Sequence, residues 1–493
     1  MKRRVLEIIA FISGAAVMSF ELVGSRVLSP YLGNSIVVWT SVIGTVLAGL
    51  SGGYWFGGRL SDKRTDFRTL GLLVLLGGIA VFTVVLISPI LLKATFQIEN
   101  VYLSAFIASL SIFLIPSFLL GAVYPYAMRL SIEKVETSGH RVGSIAAVST
   151  IGSLVGTFAT GFYLVSHFGT NKLLLLISLT LILTSFLALG RRGVFSISAM
   201  VIMLGTSWWA LNYTSHLYTA NGQTDFDTQY GRFTIKTYEE EGGRLVRALV
   251  GSRILWHSWM YLDDSQTAYS PYVRYYRLAD HFVPERKSVL LIGGGGYSAA
   301  KDFLSRNDKG VIDVVEIDSQ LTEVAKKYFA LPESPRLRIF AEDGRRFLAR
   351  TQDSYDVILI DAFSNSFSVP HHLTTKEFLE SVSEKLNGGG VILSNTLSPL
   401  KEGGNTDFLK SIYATYNSVF EHVLALRVKT GNNEAKDFYN VMIVGSHTPL
   451  NTAVTSGGFE EFFSYIFPEE QLAGGIVFTD DFAPAEQYLM RAL

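Results

Sequence analysis

Cysteine is absent from this 493-residue chain, and charged side chains make up only 17% of it. Without cysteine, disulfide bonds, thiolate metal sites and cysteine nucleophiles are all excluded. The formal net charge is -1, and no strongly basic domain stands out, so the composition argues against a nucleic-acid partner. The nine histidines are scattered and none has zinc-ligand spacing, so we expect no metal site.

Apolar residues are abundant instead, at 48% of the chain, and they concentrate in residues 1–212. Each hydrophobic span there is about as long as the ~20 residues that a bilayer requires. The predicted spans are 5–29, 36–58, 69–92, 101–128, 143–168, 172–190 and 193–212. The sequence therefore predicts a multi-pass α-helical transmembrane domain over 1–212, located in the cell membrane with the lipid bilayer as its partner.

Small residues recur within these spans at helix-packing spacing. Such positions let transmembrane helices approach one another closely. They are Gly44, Ala48 and Gly52; Gly53 and Gly57; Gly152 and Gly156; and Ser149, Ser153 and Thr157. We interpret them as tight helix packing, without a role in transport.

Two ionisable residues lie inside the first span, Glu21 and Arg26. They are five positions apart, so they do not face each other as an i,i+4 pair would. An ionisable group in a membrane span is a candidate functional residue. For Glu21, a structural pairing with another helix and a ligand or proton role remain equal alternatives, whereas Arg26 is also suited to reach the interface.

The remaining chain reads as two soluble segments. Residues 213–286 form a small β-rich element, in which 233–238 alternates at strand period, an acidic turn covers 239–243, and 245–250 reads as the return strand. Residues 287–493 alternate strands and helical patterns, which is typical of a Rossmann-like, doubly wound α/β domain. The predicted strands are 288–292, 311–316, 337–340, 355–360, 390–395 and 438–444.

Glycines and acids follow four of these strands in order. The first strand ends in Gly293, Gly294, Gly295 and Gly296, the second in Glu316 and Asp318, the third in Asp343 and Gly344, and the fourth in Asp361. Ligands of such sheets bind at the carboxyl ends of the strands. The glycines allow a ligand to approach the backbone, and an acid about twenty residues later accepts hydrogen bonds from ribose hydroxyls. The four strand ends together predict a nucleoside site.

Each acid has a chemical role in such a site. Glu316 can accept both ribose hydroxyls, and Asp343 can accept an adenine amino group while Gly344 leaves room for the ring. Asp361 can deprotonate or orient an incoming amine. The alternatives are structural, because Asp343 followed by glycine is compatible with a plain turn and Asp361 with a helix cap.

The ordered motifs carry a family resemblance. The pattern GGGG…VVEID…EDG…YDVILIDAF…VP resembles the spermidine synthase (polyamine aminopropyltransferase) family. The first half resembles the transporter-like region of the membrane-fused members of that family, through SFELVGSRVLSPYLG, GLSGGYWFGGRLSDK, LGAVYPYAMRL and GSIAAVSTIGSLVGT. The near-terminal TDDFAPAE also fits that group.

The resemblance implies a transferase of polyamine biosynthesis. Such enzymes move an aminopropyl group from decarboxylated S-adenosylmethionine to a diamine and release methylthioadenosine. It implies that Glu316 holds the ribose, that Asp343 and Gly344 hold the adenine, that Asp361 is the catalytic acid and that Pro370 lines the nucleoside pocket. Tyr269 matches a tyrosine of the family's Tyr-His-Glu segment. Family members are commonly dimers or tetramers, so a homo-oligomer is an expectation.

The chain departs from that family where the amine binds. The family's glycine run ends in aspartate, but Gly296 stands here. Ser270 and Pro271 replace the residues after the tyrosine, and Ser364 stands where the family has its second aspartate. A doubly charged diamine needs several carboxylates around it. The candidates for replacement acids are Asp263, Asp264, Glu377, Asp480 and Asp481. The candidates for a base are His371 and His372.

Three functional hypotheses follow. The first is a membrane-bound aminopropyltransferase or a related enzyme that takes decarboxylated S-adenosylmethionine or S-adenosylmethionine as co-substrate and a small amine as acceptor. The second is other chemistry on that donor, either methyl transfer or an intramolecular displacement of methylthioadenosine by a lyase or cyclising reaction. The third is a transporter or sensor that binds a nucleoside or polyamine without turnover. Retention of Asp361 favours an enzyme, and loss of the other acids favours the sensor.

The topology contains a conflict. Basic residues gather in alternate loops, which places the N-terminus in the cytoplasm. They are Lys2, Arg3 and Arg4; Arg59, Lys63, Arg64 and Arg68; Arg129, Lys134 and Arg141; and Arg191 and Arg192. Counting all the predicted spans then puts the catalytic domain outside, whereas an adenosyl cofactor is made in the cytoplasm. We expect a cytoplasmic catalytic domain, with 193–212, which closes with Ser207, Trp208 and Trp209, lying in the interface.

Overall fold

The computed structural model describes residues 2–32, 35–98, 100–132, 134–190, 223–240, 242–251, 256–265, 270–307, 309–362, 370–399, 406–429, 438–453 and 458–490. The chain divides into two compact units, Met1–Arg232 and Phe233–Leu493. The predicted limits of the segments at 212 and 286 stay predictions. The interval 191–222, which includes the last predicted hydrophobic span, lies outside the described residues.

The first unit is a helical bundle. Its long helices are α1 (Lys2–Leu32), α2 (Ile36–Lys63), α3 (Phe67–Thr95), α4 (Val101–Ser131), α5 (Ser138–Ala159) and α7 (Thr170–Leu189). A short 3₁₀ turn (Val135–Thr137) precedes α5, and α5 continues through a π-helical turn (Thr160–Leu164) into α6 (Val165–His167). Among the described residues, six helices are long and apolar enough to cross a membrane. They correspond to the predicted spans other than 193–212.

Polar caps define where three of these helices begin. The side chains of Ser35, Asp66 and Asn100 accept hydrogen bonds from the backbone N–H groups of Val38, Thr69 and Leu103, at 3.4, 2.9 and 3.0 Å. Each bond satisfies one of the N–H groups that the first helical turn leaves without an intrahelical acceptor. Short polar segments therefore separate apolar runs that would otherwise continue as helix.

Glycine interfaces hold the bundle together, as the spacing predicts. A Cβ atom at Gly53 would lie 2.2 Å from the Phe118 carbonyl oxygen on α4, and one at Gly152 would lie 2.0 Å from the Phe11 carbonyl oxygen on α1. The prediction for Gly44 is wrong, because a Cβ there would meet nothing within 4 Å. The face of α2 that contacts α4 follows Gly49, Gly53 and Gly57, and Gly44 lies outside that stripe.

The second unit begins with an antiparallel sheet. After β1 (Gln223–Asp227), which belongs to the first unit, come β2 (Arg232–Glu239), β3 (Leu245–Val250) and β4 (Trp256–Tyr261). Strands β2 and β3 pair as the predicted hairpin, with Thr234 opposite Val250 and Glu239 opposite Leu245. Strand β4 pairs with β3 on the other side. Two short helices follow, α8 (Pro271–Tyr275) and α9 (Leu278–Phe282).

A seven-stranded mixed sheet forms the rest of the second unit. The strands are β5 (Ser288–Ile292), β6 (Val311–Val315), β7 (Leu337–Phe340), β8 (Tyr355–Ile360), β9 (Leu386–Pro399), β10 (His422–Arg427) and β11 (Phe438–Ser446). Their order is β10-β11-β9-β8-β5-β6-β7. Strands β5 to β9 pair in parallel, and β11 pairs with β9 and β10 in antiparallel. The predicted doubly wound Rossmann-like fold is confirmed.

Helices connect these strands and cover the sheet. They are α10 (Ser298–Arg306), α11 (Ser319–Tyr328), α12 (Gly344–Arg350), α13 (Lys376–Ser383), α14 (Asp407–Asn417), α15 (Glu460–Phe463), α16 (Glu469–Leu472) and α17 (Ala485–Met490). A 3₁₀ turn covers His371–Leu373. Two separate apolar cores result, one containing Leu290 and Ile358 and the other Leu291 and Val357. Apolar runs without alternation suit strands that are buried on both faces.

Candidate functional site

The site lies where the strand order reverses, between the neighbouring strands β5 and β8. Strand β6, which follows β5 in the chain, pairs with one edge of β5. Strand β8 pairs with the other edge. The backbone N–H of Asp361 donates to the Ile292 carbonyl oxygen at 2.8 Å, so the glycine turn after β5 lies beside the end of β8. A crevice at such a switch point is where open α/β sheets bind ligands.

Glycine is required at the first position of this turn. Gly293 has a φ of +95°, a conformation that other residues rarely adopt. A Cβ there would also lie 2.3 Å from the carbonyl oxygen of Asp361. The turn therefore brings two strand ends closer together than a side chain would allow.

The Glu316 carboxylate organises the turn from the end of β6. Its Oε2 accepts the N–H groups of Gly294 and Gly295 at 2.7 and 3.1 Å, and its Oε1 accepts the N–H of Asp318 at 2.9 Å. Burial raises the pKa of Glu316, although these three hydrogen bonds oppose that effect. The side chain is 6% exposed. The predicted ribose acceptor and the predicted glycines thus form one hydrogen-bonded group.

Asp361 has the electrostatic character of a general base. Burial raises its pKa to about 6, and the nearby Glu316 adds to the effect, whereas hydrogen bonds from Asn395, Tyr272 and Tyr276 act in the other direction. Among the described residues Asp361 forms no ion pair with a basic side chain. A carboxylate with this pKa is ionised at neutral pH and is basic enough to accept a proton from an ammonium group during reaction.

Three residues around Asp361 were not predicted. Asn395, near the middle of β9, donates from Nδ2 to Asp361 Oδ1 at 3.1 Å. Tyr272 and Tyr276 are four residues apart, and their hydroxyls lie near the same carboxyl group. They also contact backbone carbonyl oxygens, those of His257 and Ile360, at 3.0 and 2.8 Å. The only sequence signals were the i,i+4 tyrosine spacing and the position of Asn395 on a predicted strand.

One polar atom beside Asp361 has no hydrogen-bond partner among the described residues. The Oδ1 atom of Asn395 is buried and accepts no hydrogen bond from the described residues, and the residue as a whole is 5% exposed. Leaving such an acceptor unbonded costs about 1–3 kcal/mol. A ligand with an N–H or O–H group next to Asp361 would satisfy it.

The position at which the resembling family has an aspartate is closely occupied. The backbone N–H of Gly296 donates to Ser258 Oγ on β4 at 2.9 Å. A Cβ added at Gly296 would lie 2.6 Å from the Cβ of Ser258 and 3.4 Å from Phe329 Cδ1. An acid therefore does not fit at 296 beside Ser258, whose neutral hydroxyl accepts the Gly296 N–H.

Asp343 and its neighbours form the third part of the site. Asp343 Oδ1 caps α12 by accepting the N–H of Arg346 at 3.0 Å, while its Oδ2 lies 3.0 Å from His372 Nε2. A Cβ at Gly344 would lie 2.4 Å from Ile292 Cγ2, which places this segment against the end of β5. Pro370 accepts the Leu373 N–H through its carbonyl oxygen at 2.8 Å and begins the turn that carries His372. Their roles in adenine binding stay predictions.

Only one of the predicted amine-site residues falls in the described part of the chain. Ser270 is buried and precedes α8, and its Oγ has no hydrogen-bond partner there. Tyr269 and Ser364 lie outside the described residues. The substrate-binding roles of all three stay predictions.

Three of the five candidate replacement acids are engaged elsewhere. Arg345 forms a bidentate pair with Asp480, at 2.7 and 2.5 Å. Glu377 accepts the N–H of Asp480 at 2.9 Å. Asp263 pairs with Arg244 at 2.8 Å, and both side chains are exposed. These contacts hold the near-terminal segment and the β3–β4 sheet in place, and Asp361 keeps a largely neutral set of described neighbours.

Part of the chain is similar in sequence to known proteins. Residues 275–446 match the family described as spermine/spermidine synthase domain, which confirms the predicted resemblance for that part of the chain. A polyamine aminopropyltransferase of Vibrio vulnificus is 34% identical over 155 residues, or 31% of this chain and 50% of that protein. One of Streptococcus pneumoniae is 33% identical over 144 residues, or 28% and 49%. The chain thus spans about half the length of these relatives.

Solved structures of the same kind are also similar. A probable spermidine synthase from Corynebacterium glutamicum has a TM-score of 0.44 and 20% identity, covering 53% of this chain and 97% of that one. The spermidine synthase of Thermotoga maritima has a TM-score of 0.36 and 19% identity, covering 55% and 83%.

Proposed function

We propose that this chain is a membrane-bound transferase of the spermidine synthase type. Its donor is decarboxylated S-adenosylmethionine or S-adenosylmethionine, and its reaction releases methylthioadenosine. The observation that supports this most directly is the placement of Asp361, with its pKa raised to about 6, beside the Glu316-organised glycine turn. The six apolar helices of the first unit would hold the enzyme in the bilayer.

The donor would bind across the edge of the sheet. Glu316 would accept the ribose hydroxyls with the lone pairs that its three backbone donors leave free. Asp343 and Gly344, beside the end of β5, would hold the adenine, and Pro370 would border it. The sulfonium group would then lie towards Asp361, where the negative charges of Asp361 and Glu316 favour a cation.

Asp361 would act on the acceptor. In aminopropyl transfer, an amine nitrogen attacks the carbon next to sulfur, a C–N bond forms, and the C–S bond breaks. The electron pair of that C–S bond stays on sulfur, which gives neutral methylthioadenosine. The proton that the nitrogen loses moves to Asp361, and Asn395 Oδ1 would accept a hydrogen bond from the same amine.

A second reaction is favoured by one observation. The contact between Gly296 and Ser258 leaves no room for the aspartate with which the resembling family ends its glycine run. A diamine carries two positive charges, and the described neighbours of Asp361 are neutral apart from Glu316. Displacement of methylthioadenosine by a group of the donor itself needs no second cation site. We therefore propose an intramolecular reaction as the alternative to aminopropyl transfer.

Product analysis tests these proposals. The detergent-purified chain is incubated with S-adenosylmethionine and, separately, with its decarboxylated form, each with and without a panel of diamines, and products are identified by mass spectrometry. Methylthioadenosine with an extended polyamine supports aminopropyl transfer. Methylthioadenosine formed equally without acceptor supports the intramolecular reaction. S-adenosylhomocysteine identifies a methyltransferase, and nucleoside binding without any product identifies a sensor; either outcome contradicts the proposal.

Site variants separate binding from chemistry. We expect Glu316→Ala to weaken methylthioadenosine binding by at least about tenfold, since it removes a charge-assisted acceptor worth about 1.5–3 kcal/mol. Glu323→Ala is the matched control, because Glu323 is 72% exposed and pairs with the nearby Lys326. Unchanged affinity in Glu316→Ala, measured by calorimetry, would contradict the site.

A further inference from the structure

Four helix ends of the first unit surround a small cavity. The starts of α1, α3 and α5 and the end of α4 contribute its lining residues. Three of those residues carry a formal charge, namely Arg3, Glu7 and Arg141, and Ser131 and Ser144 lie beside them. The cavity has a volume of about 70 Å³, so it admits one compact chemical group and not a whole metabolite.

Close contacts hold these helix ends together. A Cβ at Gly14 of α1 would lie 2.3 Å from the Ser149 carbonyl oxygen of α5, so these two helices pack backbone against backbone. The Tyr126 hydroxyl, near the end of α4, accepts the N–H of Asp66 at 3.3 Å, at the start of α3. The cavity therefore lies between packed helix ends and is a defined part of the bundle.

Arg141 is the cation of this cavity that the protein leaves without a partner. It is half-buried, and it forms no hydrogen bond or ion pair with the described residues. Arg3, in contrast, pairs with Glu7 one turn further along α1, at 2.9 Å. A guanidinium presents five N–H donors and keeps its charge at any physiological pH. The cavity thus offers donors and a positive charge that suit an anion.

Helix stability does not account for Arg141. The residue lies near the start of α5, which begins at Ser138, and a helix start carries a partial positive charge. A basic side chain is therefore unfavourable there, whereas an anion is favourable. The side chain of Thr137, which precedes the helix, makes no capping hydrogen bond. An external anion would satisfy both the arginine and the start of the helix.

Part of the lining is apolar. Leu6 and Ile145 are buried, and Phe67 and Leu130 are half-buried and pack against the same core. A fully hydrated anion gains nothing from such a surface, whereas a lipid brings apolar groups next to its phosphate. The lining therefore combines the two properties that a phospholipid combines.

We propose that this cavity binds the phosphate group of an anionic phospholipid. The phosphate oxygens would accept hydrogen bonds from Arg141, and the apolar part of the lipid would contact Phe67 and Leu130. Exposed Arg64 and Arg68, at the turn between α2 and α3, add positive charge that attracts anionic head groups. This inference rests on the membrane placement proposed above, because lipids reach helix ends only when the bundle lies in a bilayer.

Lipid titration of the full-length chain tests the site. The detergent-purified, delipidated protein is titrated with phosphatidylglycerol, with phosphatidylcholine and with glycerol phosphate, and the bound molecules are counted by native mass spectrometry. Phosphatidylcholine carries its phosphate on a head group without net charge, and glycerol phosphate carries it without acyl chains. Binding needs no turnover, so the readout is independent of the reaction.

We expect phosphatidylglycerol to bind best and Arg141→Gln to weaken its binding by about fivefold or more. Arg141→Lys keeps the charge but loses the planar fork of donors, so its affinity should be intermediate. Arg4→Gln is the matched control, because Arg4 is exposed beside Arg3 and does not line the cavity. Its effect should stay below about twofold. Glu7→Gln should strengthen binding, since it removes a negative charge and releases Arg3.

Equal losses in Arg141→Gln and Arg4→Gln would overturn the site, because they would indicate diffuse attraction alone. Saturation by glycerol phosphate at the same concentrations as the lipid would overturn the lipid assignment in favour of a soluble phosphate. Alkaline extraction of cell membranes tests the membrane placement separately. A chain that stays in the membrane pellet, while Arg141→Gln binds like the wild type, contradicts the site alone. A chain released into the supernatant contradicts the membrane placement and the site with it.

Discussion

A single carboxyl group, that of Asp361, connects the stability of this protein to its reactivity. Its neighbours, Tyr272, Tyr276 and Asn395, are neutral, and burial raises its pKa to about 6. An ionised carboxylate in such surroundings is less stable than it would be in water. A group with this property is kept at a cost to folding, which is common at reactive sites.

Replacing Asp361 by asparagine should abolish turnover while stabilising the fold at neutral pH. The pKa of Asp361 is higher in the folded than in the unfolded chain, so its contribution to stability is full below about pH 4 and is lost as pH rises through about 6. With asparagine at 361, stability is no longer lost as pH rises, so the variant should gain up to about 3 kcal/mol at neutral pH. Thermal unfolding of both proteins at pH 4.5 and 7.5 measures this difference in stability. The kcat/KM of the wild type should fall as pH drops through about 6.

Asp356→Asn, at the other end of β8, is the matched control. Burial raises the pKa of Asp356, but hydrogen bonds from Asn387 and from the N–H groups of Lys287 and Ser288 outweigh burial, and the pKa is lowered. Its stabilising effect is therefore present above about pH 4, and asparagine should lower stability at neutral pH. A stability loss in both variants at pH 7.5 would contradict the assignment to Asp361.

The contact between Gly296 and Ser258 predicts how the amine site can be changed. Gly296→Asp alone should destabilise the second unit by about 1–3 kcal/mol, because its Cβ would lie 2.6 Å from that of Ser258. The double variant Ser258→Gly with Gly296→Asp should recover most of that loss. It should also raise kcat/KM for diamines over the single Ser258→Gly variant. Equal diamine activity in these two variants would show that the acid at 296 does not meet the amine.

At the scale of elements, glycine stripes determine which helices touch. Helices α2 and α4 approach so closely that a Cβ at Gly53 would lie 2.2 Å from a backbone oxygen, whereas Gly44 on the same helix has open space. Both glycines were predicted as packing positions from the same kind of spacing. The spacing identifies a face of a helix, but only the partner helix decides which of two adjacent faces is buried.

Leucine at these two positions should therefore have opposite effects. Gly53→Leu should separate α2 from α4 and destabilise the first unit by several kcal/mol, since neither backbone can move aside without losing other contacts. Gly44→Leu makes the same substitution in the same helix. It should change the free energy of unfolding by no more than about 0.5 kcal/mol. Unfolding in detergent compares the stability of the two variants. Similar losses of stability would contradict the packing of α2 on α4.

The elements of the second unit could be predicted largely from sequence, because buried parallel strands are continuous apolar runs ended by glycine or acid. The runs at 288–292 and 355–360 became β5 and β8 with the same bounds. Strand β10 was not predicted, since it pairs in antiparallel at the far side of β11 and lacks such an ending. Ser258 could not be predicted as a site residue either, because it approaches Gly296 only through tertiary contact.

On the scale of the whole molecule, the two compact units have separate cores. The core of the first contains Phe20, Val42 and Phe113, and those of the second contain Leu290 and Leu291. Each core can then melt by itself, and cooperativity is a property of each core. The full-length protein is expected to unfold in two steps.

Methylthioadenosine should shift only one of the two thermal transitions. At a hundred times its Kd, a ligand stabilises the unit that binds it by about 2.7 kcal/mol, which corresponds to a Tm increase of roughly 5–10 °C. Differential scanning calorimetry of the detergent-purified chain measures both steps. Glu316→Ala should abolish the shift, and Glu323→Ala should retain it. A single transition that moves as a whole would contradict independent units.

The carboxylate of Glu316 has one more consequence, which concerns the ligands that the glycine turn can accept. In many dinucleotide sites the N–H groups of a glycine turn receive a phosphate. Here the N–H groups of Gly294 and Gly295 already point at a buried carboxylate. A phosphate in that position would meet a negative charge and find its donors occupied. The proposed nucleoside site is therefore expected to favour uncharged or cationic nucleosides over ATP, NAD and AMP.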